Sequence, residues 1–488
     1  MTENSKQNTY EDVCGRILAI PKFTKEKHGF EVIRAYLEGL GHPEQGMRIY
    51  HVAGTNGKGS VTRMLSDLLL LGGRRTGTFT SPHLVRMNER ISVDGKDIAD
   101  EDLVSAYEEV EKLRIEKALP QLTFFEILFV MALLHFRAAG VTDAVLETGL
   151  GGRLDATTSV PADLYVITKI GLDHTVQLGD TIEEVAGEKA GIITGDSPLI
   201  LHASSTPAEQ VILARAEAFR CRAVENCNTF SAIIHGIDRD GIDFSFSNGY
   251  DSYDHLFLKT RAQYQVENAV TAITAAPYLF PEADRAKLKE LLRKMLSRFS
   301  MPGRMEEIAP GIYVDGAHNP SAARELLHSL YYSFTNNEKC STMSGCDLPV
   351  DGEDAQNNMF LIFAASNDKD YREVLRILLD FPWKGIILTE YRNARSVPAG
   401  QLAEVAADIL LNAETVTEER HDPVFEEKSS QERHQGQALI QTAEDVRAAL
   451  NLVKNEKGSR VMVTGSLYLV GEIKALPVQN SEVTGVDV

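Results

Sequence analysis

HVAGTNGKGSVTRML, residues 51–65, contains in order the end of an apolar run, a glycine-rich turn, a lysine and the start of an amphipathic run. The glycines of this turn are Gly54, Gly57 and Gly59. Glycines permit a tight turn whose N–H groups face inward, and a helix that follows directs its positive N-terminal end to the same place. Lys58 adds a point charge there. This order favours a phosphate-binding loop over a plain turn between a strand and a helix.

The spelling of the loop departs from the common phosphate-binding pattern G-x-x-x-x-G-K-[ST]. Val52 stands where that pattern has its first glycine, and Gly59 follows Lys58 where the pattern has serine or threonine. Ser60 comes one position later. The spelling raises the question of which phosphate chemistry uses a loop of this kind.

The length and the charge of the chain limit the classes of function. The chain has 488 residues, more than one hydrophobic core usually serves, so two domains are expected. Its 70 acidic and 50 basic residues give a net charge of -20. Nucleic acids and anionic membranes bind basic surfaces, so neither is predicted as a partner. A small anionic ligand in a locally positive pocket stays compatible with this charge.

The cysteines and the N-terminal sequence predict a soluble cytoplasmic protein, with a monomer as the expected oligomeric state. The five cysteines form no CxxC or Cys/His cluster, which disfavours a zinc site, and an odd number in a long chain fits reduced thiols. The first residues are polar and lack the apolar stretch of a signal peptide. The longest apolar runs, such as Leu68 to Leu71, are too short to span a bilayer.

Short apolar runs alternate with amphipathic stretches, the pattern of a parallel α/β fold. The predicted strands are 47–52, 142–147, 163–170, 311–318, 359–366, 385–390 and 460–466. A helix is predicted over 60–71, ending at Gly72, and a buried helix over 122–136. Pro320 suits the first position of a further helix.

Pro302 and Gly303 interrupt a helical pattern and predict a domain boundary there. The two predicted domains are residues 1–299 and residues 300–488. The polar stretches 336–358 and 417–437 are interpreted as surface insertions.

Three polar residues that follow predicted strands carry weak signals of a site. Glu147 ends a buried strand, where a carboxylate suits Mg²⁺ but can equally face water. His174 is compatible with an ordinary hydrogen-bonding role as well as with a ligand. Ser81 precedes a proline and, taken alone, indicates only a turn. Each of these residues alone is weak evidence of a site, and only the three together indicate one.

A series of segments, in order over nearly the whole chain, resembles the folylpolyglutamate synthase/dihydrofolate synthase family, relatives of the Mur ligases. The segments are GTNGKGS (54–60), TSPHLVRMNERI (80–91), LTFFE (122–126), LETGLGGRLDAT (146–157), LDHT (172–175), EKAGI (188–192), MPGR (301–304), VDGAHNP (314–320) and TGSLYLVGE (464–472). The loop of this family has a glycine after the lysine. The resemblance implies a P-loop NTPase-like, ATP- and folate-binding Mur ligase domain followed by a smaller Rossmann-like α/β domain.

The resemblance also implies the chemistry, which is ATP-dependent joining of L-glutamate to the carboxylate of folate or dihydropteroate. The carboxylate takes the γ-phosphate of ATP to form an acyl phosphate, which the amino group of glutamate then attacks. ATP and Mg²⁺ are the implied cofactors. Whether the chain carries one of the two activities or both stays open at this point.

The resemblance implies specific site residues. Those for the ATP phosphates are Asn56, Gly57, Lys58, Gly59 and Ser60, with further ATP contacts from Asn268, Arg304 and Asp315. The implied Mg²⁺ ligands are Ser81, Glu147 and His174, and the implied catalytic residues are Lys58, Lys189 and His318. The implied residues for the pterin side of the substrate are Thr123, Phe124, Phe125, Leu154, Asp155 and Ala156.

Some of these roles have alternatives. Lys189 resembles a lysine that is carbamylated in the family, but it can instead cap a helix end before Gly191. His318 is assigned either to the adenosine side or to the glutamate side of the site. Aromatic faces suit a flat pterin, yet Phe124 and Phe125 also fit a helix core, and one of them is expected to lie there.

Two other functions are weighed. A different Mur-type ligase would act on a cell-wall or polymer precursor, but such ligases more often have GKTT where this chain has GKGS at 57–60. A non-enzymatic ATP-binding module would not need Lys58, Glu147 and Lys189 together. The folate ligase is therefore the favoured interpretation.

Overall fold

A computed structural model describes residues 8–21, 29–203, 205–334, 358–413, 439–456 and 458–476. The predicted insertions 336–358 and 417–437 lie outside these described residues, apart from Asn358. Within the described part of the chain, none of the helices is long and apolar enough to cross a membrane.

The chain divides into two compact units. The first contains Met1–Thr229 and Asn268–Met295, and the second contains Phe230–Glu267 and Leu296–Val488. The domain boundary predicted between residues 299 and 300 stays a prediction. A single boundary does not describe these two units, because Phe230–Glu267 carries a small sheet that groups with the second unit.

A mostly parallel sheet forms the centre of the first unit. Its strands are β1 (Arg48–Ala53), β2 (Thr76–Phe79), β3 (Ile91–Val93), β4 (Lys96–Asp97), β5 (Asp143–Glu147), β6 (Leu164–Ile167), β7 (Leu199–Leu201) and β8 (Val224–Asn226). They lie in the order β4-β3-β2-β5-β1-β6-β7-β8, in which β2 pairs with β3 and β3 with β4 in antiparallel fashion and the other neighbours are parallel. Every residue of β5, β6 and β7 is buried, as expected for strands that are covered on both faces.

Helices connect these strands. They are α1 (Tyr10–Ala19), α2 (Glu31–Gly39), α3 (Lys58–Leu71), α4 (Asp100–Glu116), α5 (Phe124–Ala138), α6 (Thr175–Leu178), α7 (Ile182–Ala190) and α8 (Thr206–Ala218), with short 3₁₀ helices at Met87–Arg90, Ala156–Ser159 and Cys227–Thr229. The predicted end of the first long helix is confirmed, since α3 stops at Leu71, directly before Gly72.

The predicted buried helix is confirmed as α5, which supplies much of the first core. It begins at Phe124 because Thr123 caps it. The Thr123 hydroxyl accepts a hydrogen bond from Glu126 N (3.4 Å), and the Glu126 carboxylate accepts one from Thr123 N (2.7 Å). The apolar residues Ile127 to Leu133 that follow are fully buried.

The second unit begins with an antiparallel sheet that the sequence interpretation missed. Its strands are β9 (Ser231–Ile237), β10 (Ile242–Ser247) and β11 (Ser252–Leu258), with β10 in the middle. The signal was present, because Ile242, Phe244 and Phe246 alternate with polar residues and are the buried side of β10. Asp-Gly at 240–241 and Asn-Gly at 248–249 lie in the connecting turns.

The remaining elements form a Rossmann-like layer of parallel strands and helices. The two helices that precede it along the chain are α9 (Gln265–Leu279) and α10 (Arg285–Arg298), most of which belongs to the first unit. Its strands are β12 (Glu306–Ala309), β13 (Ile312–Val314), β14 (Met359–Phe363), β15 (Gly385–Leu388), β16 (Leu439–Thr442) and β17 (Arg460–Thr464). Its helices are α11 (Pro320–Phe334), α12 (Tyr371–Leu378), α13 (Ala399–Ala413), α14 (Val446–Val453) and α15 (Leu467–Ala475).

This second sheet has the order β12-β13-β17-β14-β15-β16, and only β12 pairs antiparallel. The predicted α/β class is confirmed in both units. Pro320 is the first residue of α11, as predicted. Asn319 precedes it and caps the helix, because Asn319 Oδ1 accepts a hydrogen bond from Ala322 N (2.9 Å).

The order of the first sheet places the candidate site. β2, β5, β1 and β6 are neighbours and run parallel, so the loops that follow them leave the same edge of the sheet. These loops contain residues 80–90, 148–159, 54–57 and 168–174. Carboxyl ends of parallel strands are the usual place for ligand sites in such sheets.

Replacing Leu128 by Ala in α5 is expected to lower the free energy of unfolding of the first unit by about 2–5 kcal/mol, because a fully buried leucine is removed and a cavity remains. Leu18→Ala in α1 is the matched control, since Leu18 is 62% exposed, and it is expected to change stability by less than about 0.5 kcal/mol. Urea titrations followed by circular dichroism measure both. Equal effects of the two substitutions would contradict the burial of α5.

Candidate active site

The phosphate loop lies against the segment that follows β6. Thr55 N donates a hydrogen bond to Lys169 O (2.7 Å), and the Thr168 hydroxyl donates one to Asn56 O (2.7 Å). The strand predicted over 163–170 therefore ends early, because the backbone after β6 pairs with the loop instead of continuing as a strand.

Two glycines permit the path of the loop. Gly54 has φ +148°, and a Cβ there would lie 1.9 Å from Thr168 Oγ1. Gly57 has φ +88°, and a Cβ there would lie 2.2 Å from Asn268 Oδ1. Any other residue would be strained in both conformation and space. Asn268, predicted to contact ATP, thus lies directly against the loop.

The start of α3 presents backbone donors to the loop. α3 begins at Lys58, and Gly57 before it has no side chain to cap the first turn. The N–H groups of a first helical turn have no partner within their own helix, and the helix dipole makes this end positive. An anion such as a phosphate is stabilised at such a place. The predicted phosphate-binding residues, Asn56 to Ser60, lie in this turn and in the loop before it.

The ammonium groups of Lys58 and Lys189 meet at one carbonyl oxygen. Lys58 Nζ donates to Gly54 O (3.0 Å) and to Thr55 O (3.1 Å), and Lys189 Nζ donates to Gly54 O (2.8 Å). Two lysine side chains therefore meet at the phosphate loop of a chain whose net charge is -20. Carbamylation of Lys189 stays a prediction.

The end of α7 also receives hydrogen bonds from a side chain of another helix. Arg215, on α8, donates to Ala190 O (3.1 Å) and Ile193 O (3.0 Å) at the end of α7. Lys189 is buried, and its ammonium reaches the Gly54 carbonyl. Lys189 lies in the last turn of α7, directly before the end of the helix at Gly191, so its capping interpretation stays open beside its contact with Gly54 O.

Two of the predicted Mg²⁺ ligands are in contact. Glu147, the last residue of β5, is buried and lies opposite Val52 of β1, just before the phosphate loop. Ser81 N donates a hydrogen bond to Glu147 Oε2 (3.1 Å). The Ser81–Pro82 peptide bond is cis. A buried carboxylate beside a serine offers the hard oxygen ligands that Mg²⁺ and Mn²⁺ take.

The third predicted ligand, His174, has a left-handed backbone conformation, φ +53°, directly before α6. Its Nε2 lies 4.0 Å from Asp173 Oδ2. Among the described residues, no group of three or more His, Cys, Asp and Glu side chains is arranged to hold a metal ion. The predicted set thus depends on the serine oxygen, and the role of His174 in it stays a prediction.

A carboxylate that the sequence interpretation missed organises the loop after β2. Glu89 accepts hydrogen bonds from the backbone N–H groups of Leu84 (2.6 Å), Val85 (2.9 Å) and Arg86 (2.7 Å). These bonds tie together the loop that starts at Ser81. A signal existed, because Glu89 stands three residues after Arg86 at the start of a short helix, the position of a capping carboxylate.

The predicted aromatic pair separates into one core residue and one half-buried residue. Phe124 is buried in the first core, with the Arg90 guanidinium 5.1 Å from its ring centre. Phe125 is half-buried, and its ring centre lies 5.3 Å from that of Phe79. The expectation that one of the two belongs to the core is confirmed by Phe124. Phe125 also lies against Gly149, where a Cβ would come within 2.6 Å of its ring.

The other predicted substrate residues differ in exposure. Leu154 is 41% exposed although it is apolar, whereas Ala156 is buried. The Thr123 hydroxyl is engaged in the cap of α5. An exposed leucine on a loop at the carboxyl edge of the sheet suits contact with an apolar part of a ligand.

Asp155 is buried and bound by protein donors on both oxygens. Asp155 Oδ2 accepts from Gly149 N (2.9 Å) and Leu150 N (3.0 Å), and Oδ1 accepts from Thr157 N (3.1 Å) and the Thr157 hydroxyl (2.6 Å). Burial raises the pKa of the Asp155 carboxyl, and these hydrogen bonds oppose the rise. A direct contact between Asp155 and substrate stays a prediction.

In the second unit, Asp315 follows β13 and is also buried. Its Oδ2 accepts from the Tyr264 hydroxyl (2.6 Å) and Met305 N (2.9 Å), and its Oδ1 accepts from Ala317 N (2.8 Å). Burial raises the pKa of Asp315, and the charge of Arg304 opposes this rise. A carboxylate can accept about four hydrogen bonds, so the predicted contact with a ribose hydroxyl stays compatible with three protein donors.

Arg304 and His318 lie on either side of Gly316. A Cβ on Gly316 would come within 2.3 Å of Arg304 Nη1, and His318 Nδ1 lies 2.7 Å from Gly316 O. Arg304, which precedes β12, therefore lies close to the turn after β13 that contains Asp315 and His318. Their contacts with ATP or glutamate stay predictions.

Known proteins share both the sequence and the fold. Residues 52–276 match the family described as the Mur ligase middle domain, and residues 304–476 match the dihydrofolate synthetase C-terminal domain. The chain is 32% identical over 458 residues to the dihydrofolate synthase/folylpolyglutamate synthase of Bacillus subtilis (strain 168), which covers 92% of this chain and 94% of that protein. The chain belongs to the dihydrofolate synthase/folylpolyglutamate synthase family.

Solved structures of this family have the same fold. Mycobacterium tuberculosis folylpolyglutamate synthase, complexed with ADP and AMPPCP, matches with a TM-score of 0.78 and 28% identity over 96% of this chain and 98% of that chain. The bifunctional folylpolyglutamate synthase/dihydrofolate synthase of Yersinia pestis, complexed with AMPPNP and a Mn ion, matches with a TM-score of 0.75 and 25% identity over 97% of this chain and 99% of that chain. The Mur ligase fold predicted from the sequence is therefore confirmed.

In this member of the family, the first-unit residues meet at one edge of the sheet. Gly54 O joins Lys58 to Lys189, and Ser81 contacts Glu147. Arg304, Asp315 and His318 belong to the second unit.

Replacing Gly57 by Ala is expected to weaken nucleotide binding by about tenfold or more, because a left-handed conformation costs an alanine roughly 1–2 kcal/mol and its Cβ would strike the side chain of Asn268. Gly15→Ala is the matched control, since Gly15 lies in α1 with nothing within 4 Å of the added Cβ. Titration with a fluorescent ATP analogue measures both variants. An unchanged affinity in Gly57→Ala would contradict the described loop.

Proposed function

We propose that this protein carries out both reactions of its family, joining L-glutamate to dihydropteroate and to folates that already carry glutamate. The protein is an ATP-dependent carboxylate–amine ligase. The observation that carries the site proposal is the phosphate loop, where two lysines converge on Gly54 O and the buried Glu147 lies on the adjacent strand. The N-terminal end of α3 and both lysines suit the phosphates of ATP.

The chemistry explains why a phosphate site is needed. A carboxylate is a poor acceptor for an amine, because the group that would have to leave is oxide. One carboxylate oxygen therefore attacks the γ-phosphorus of ATP, the bond to ADP breaks, and an acyl phosphate forms. The neutral amino group of glutamate attacks the acyl carbon, the C–O bond to phosphate breaks, and the nitrogen loses a proton as the amide forms.

The chain's own residues have defined tasks in this scheme. Lys58 and the first-turn N–H groups of α3 stabilise the negative charge on the phosphoryl group that is transferred. Lys189, held at the same carbonyl, keeps the loop closed and, if carbamylated, would offer a further oxygen pair. Asn268 supports Gly57 from the side.

Ser81 and Glu147, with His174, would hold a divalent cation. Their contact and the burial of Glu147 fit such an ion, since hard cations take carboxylate and hydroxyl oxygens. When bound, Mg²⁺ would supply positive charge near the phosphoryl oxygens. The Yersinia pestis relative was solved with Mn, which takes similar ligands.

The remaining assignments concern the substrates. Phe125, which is half-buried, and Leu154, which is exposed, would contact the pterin or aminobenzoyl ring. Arg304 and Asp315 would contact ATP, and His318 would lie on the adenosine or glutamate side. A monomeric state and a cytoplasmic location are also part of this proposal and are based on the sequence alone.

The wild-type protein is expected to release phosphate from ATP with Mg²⁺, L-glutamate and either dihydropteroate or tetrahydrofolate. Lys58→Ala is expected to lower turnover by about a hundredfold or more, the effect of removing one group that stabilises transition-state charge. Lys112→Ala, an exposed lysine on α4, is the control and is expected to keep full turnover. Phosphate release with a folded-state check by circular dichroism measures all three.

Each outcome of that assay has a distinct meaning. Turnover with only one acceptor would reject the second activity, and silence with both in a folded protein would reject the ligase proposal. Full turnover in Lys58→Ala would reject the phosphate site.

Replacing Glu147 by Gln is expected to raise the Mg²⁺ concentration for half-maximal turnover by at least about tenfold, because the amide removes a negative charge from the cation site. Glu116→Gln, at an exposed position on α4, is the control. Turnover is measured against Mg²⁺ at saturating ATP. An unchanged Mg²⁺ titration would rule out Glu147 as a ligand.

A further inference from the structure

A buried chain of polar side chains connects β1 to the loop that follows β5. His51, two residues before Ala53 at the end of β1, is buried, and its Nε2 lies 2.5 Å from Thr157 Oγ1. The Thr157 hydroxyl in turn lies 2.6 Å from Asp155 Oδ1. All three side chains are more than nine-tenths buried, so no water competes for these bonds.

The direction of the hydrogen bonds follows from the donors around Asp155. Backbone N–H groups of Gly149, Leu150 and Thr157 point at both carboxylate oxygens, which favours an ionised acceptor. The single hydroxyl proton of Thr157 is then donated to Asp155. The Thr157 oxygen has only lone pairs left for His51, so His51 must donate from a protonated Nε2.

This requirement fits the surroundings of His51. Burial lowers the pKa of His51 to about 3, so the imidazole is neutral at physiological pH. A neutral imidazole carries one proton, and the bond to Thr157 determines that this proton is on Nε2. In this series of hydrogen bonds, His51 donates to Thr157 and Thr157 donates to Asp155, so the donor and the acceptor of each bond are determined.

Asp155, the last residue of this hydrogen-bonded series, holds together the loop after β5. Asp155 ties the residues that leave β5, Gly149 and Leu150, to the turn at Thr157. Leu154 and Ala156, proposed to contact the substrate, flank Asp155 in that loop. The near end is anchored in β1, which leads directly into the phosphate loop.

We propose that His51 is a positioning residue, which acts through Thr157 and Asp155 to hold the loop of residues 149–157 in the conformation that binds the carboxylate substrate. It touches neither substrate nor nucleotide in this role. The link to the substrate rests on the proposed function, whereas the ordering of the loop does not.

The first test compares substitutions that keep or remove the donor. His51→Leu removes it, and His51→Gln keeps an N–H near the position of Nε2. His51→Leu is expected to raise the KM for dihydropteroate or tetrahydrofolate by about tenfold, with the KM for ATP within about twofold, because one buried hydrogen bond is worth about that factor. His51→Gln is expected to recover most of the loss.

Thr157, the middle residue of the hydrogen-bonded series, permits a second pair of substitutions with a matched control. Thr157→Val removes the hydroxyl and keeps the shape, and Thr157→Ser keeps the hydroxyl. The same change at Thr62, a buried residue of α3 whose hydroxyl has no hydrogen-bond partner, is the control. Thr157→Val is expected to reproduce the rise in KM, whereas Thr157→Ser and Thr62→Val are expected to leave it within about twofold.

Hydrogen exchange keeps the test independent of activity. The amides of Gly149, Leu150 and Thr157 are bound by Asp155, so peptides that cover 148–158 are expected to exchange about tenfold faster in His51→Leu than in wild type. Peptides of α5, whose amides are bound within a buried helix, are expected to exchange at the wild-type rate.

The results distinguish a failure of the His51 proposal from a failure of the proposed function. Faster exchange in 148–158 with a higher substrate KM supports it. Unchanged exchange and unchanged KM in folded His51→Leu overturn it, and equal rises in the KM for both ATP and folate overturn it in favour of a general structural role. Absence of turnover in the wild type would reject the proposed function alone, since the exchange result still decides whether His51 orders the loop.

Discussion

The hydrogen bonds to the carbonyl oxygen of Gly54 are the interaction on which the rest of the candidate site depends. Gly54 ends the approach from β1, and its carbonyl accepts from both Lys58 and Lys189. A carbonyl oxygen in a low-dielectric setting stabilises a lysine ammonium strongly, and an ammonium held in this way attracts anions to the loop. The φ of +148° that turns this carbonyl towards the lysines is available only to glycine at reasonable cost, and the lack of a side chain lets Thr168 pack against it. The loop, α3, α7 and the segment after β6 therefore depend on one another.

Carboxylates bound by backbone N–H groups recur in this protein, and two of them, Asp155 and Asp315, are buried whereas Glu89 is half-buried. Glu89 binds N–H groups of its own loop, Asp155 binds those of the loop after β5, and Asp315 binds those of the turn after β13. A buried charge is tolerated only when several donors surround it, so each of these residues gives its loop one well-defined conformation. The exposed acidic residues that account for the net charge of -20 have little effect on these loops, because exposed charges are screened by solvent and salt. Ligand binding here depends on local arrangement of donors and lysines within an acidic chain.

The sequence was informative where a residue's role follows from its neighbours along the chain. The glycines around Lys58 and Pro320 at a helix start were predicted, because the conformational preferences of these residues are local. The antiparallel sheet of 231–258 was missed although its alternating pattern was present. The strand predicted over 163–170 was too long, because hydrogen bonds to the phosphate loop, far away in sequence, end β6 at Ile167. The contact of Lys189 with Gly54 was beyond the sequence for the same reason, since the two residues lie on different elements that are far apart along the chain.

The sequence by itself determined the α/β class, the phosphate loop and the family, because these depend on periodicity, on glycine and on motifs that are contiguous along the chain. The tertiary structure alone decided which side chains share a hydrogen bond. It brought Lys189 to Gly54, Ser81 to Glu147, and His51 to Thr157 and Asp155, across separations of 135, 66 and 106 residues for the first bond of each set. Such pairings are set by strand order and by which groups remain to be satisfied once the core is packed, and neither quantity can be read from a linear pattern.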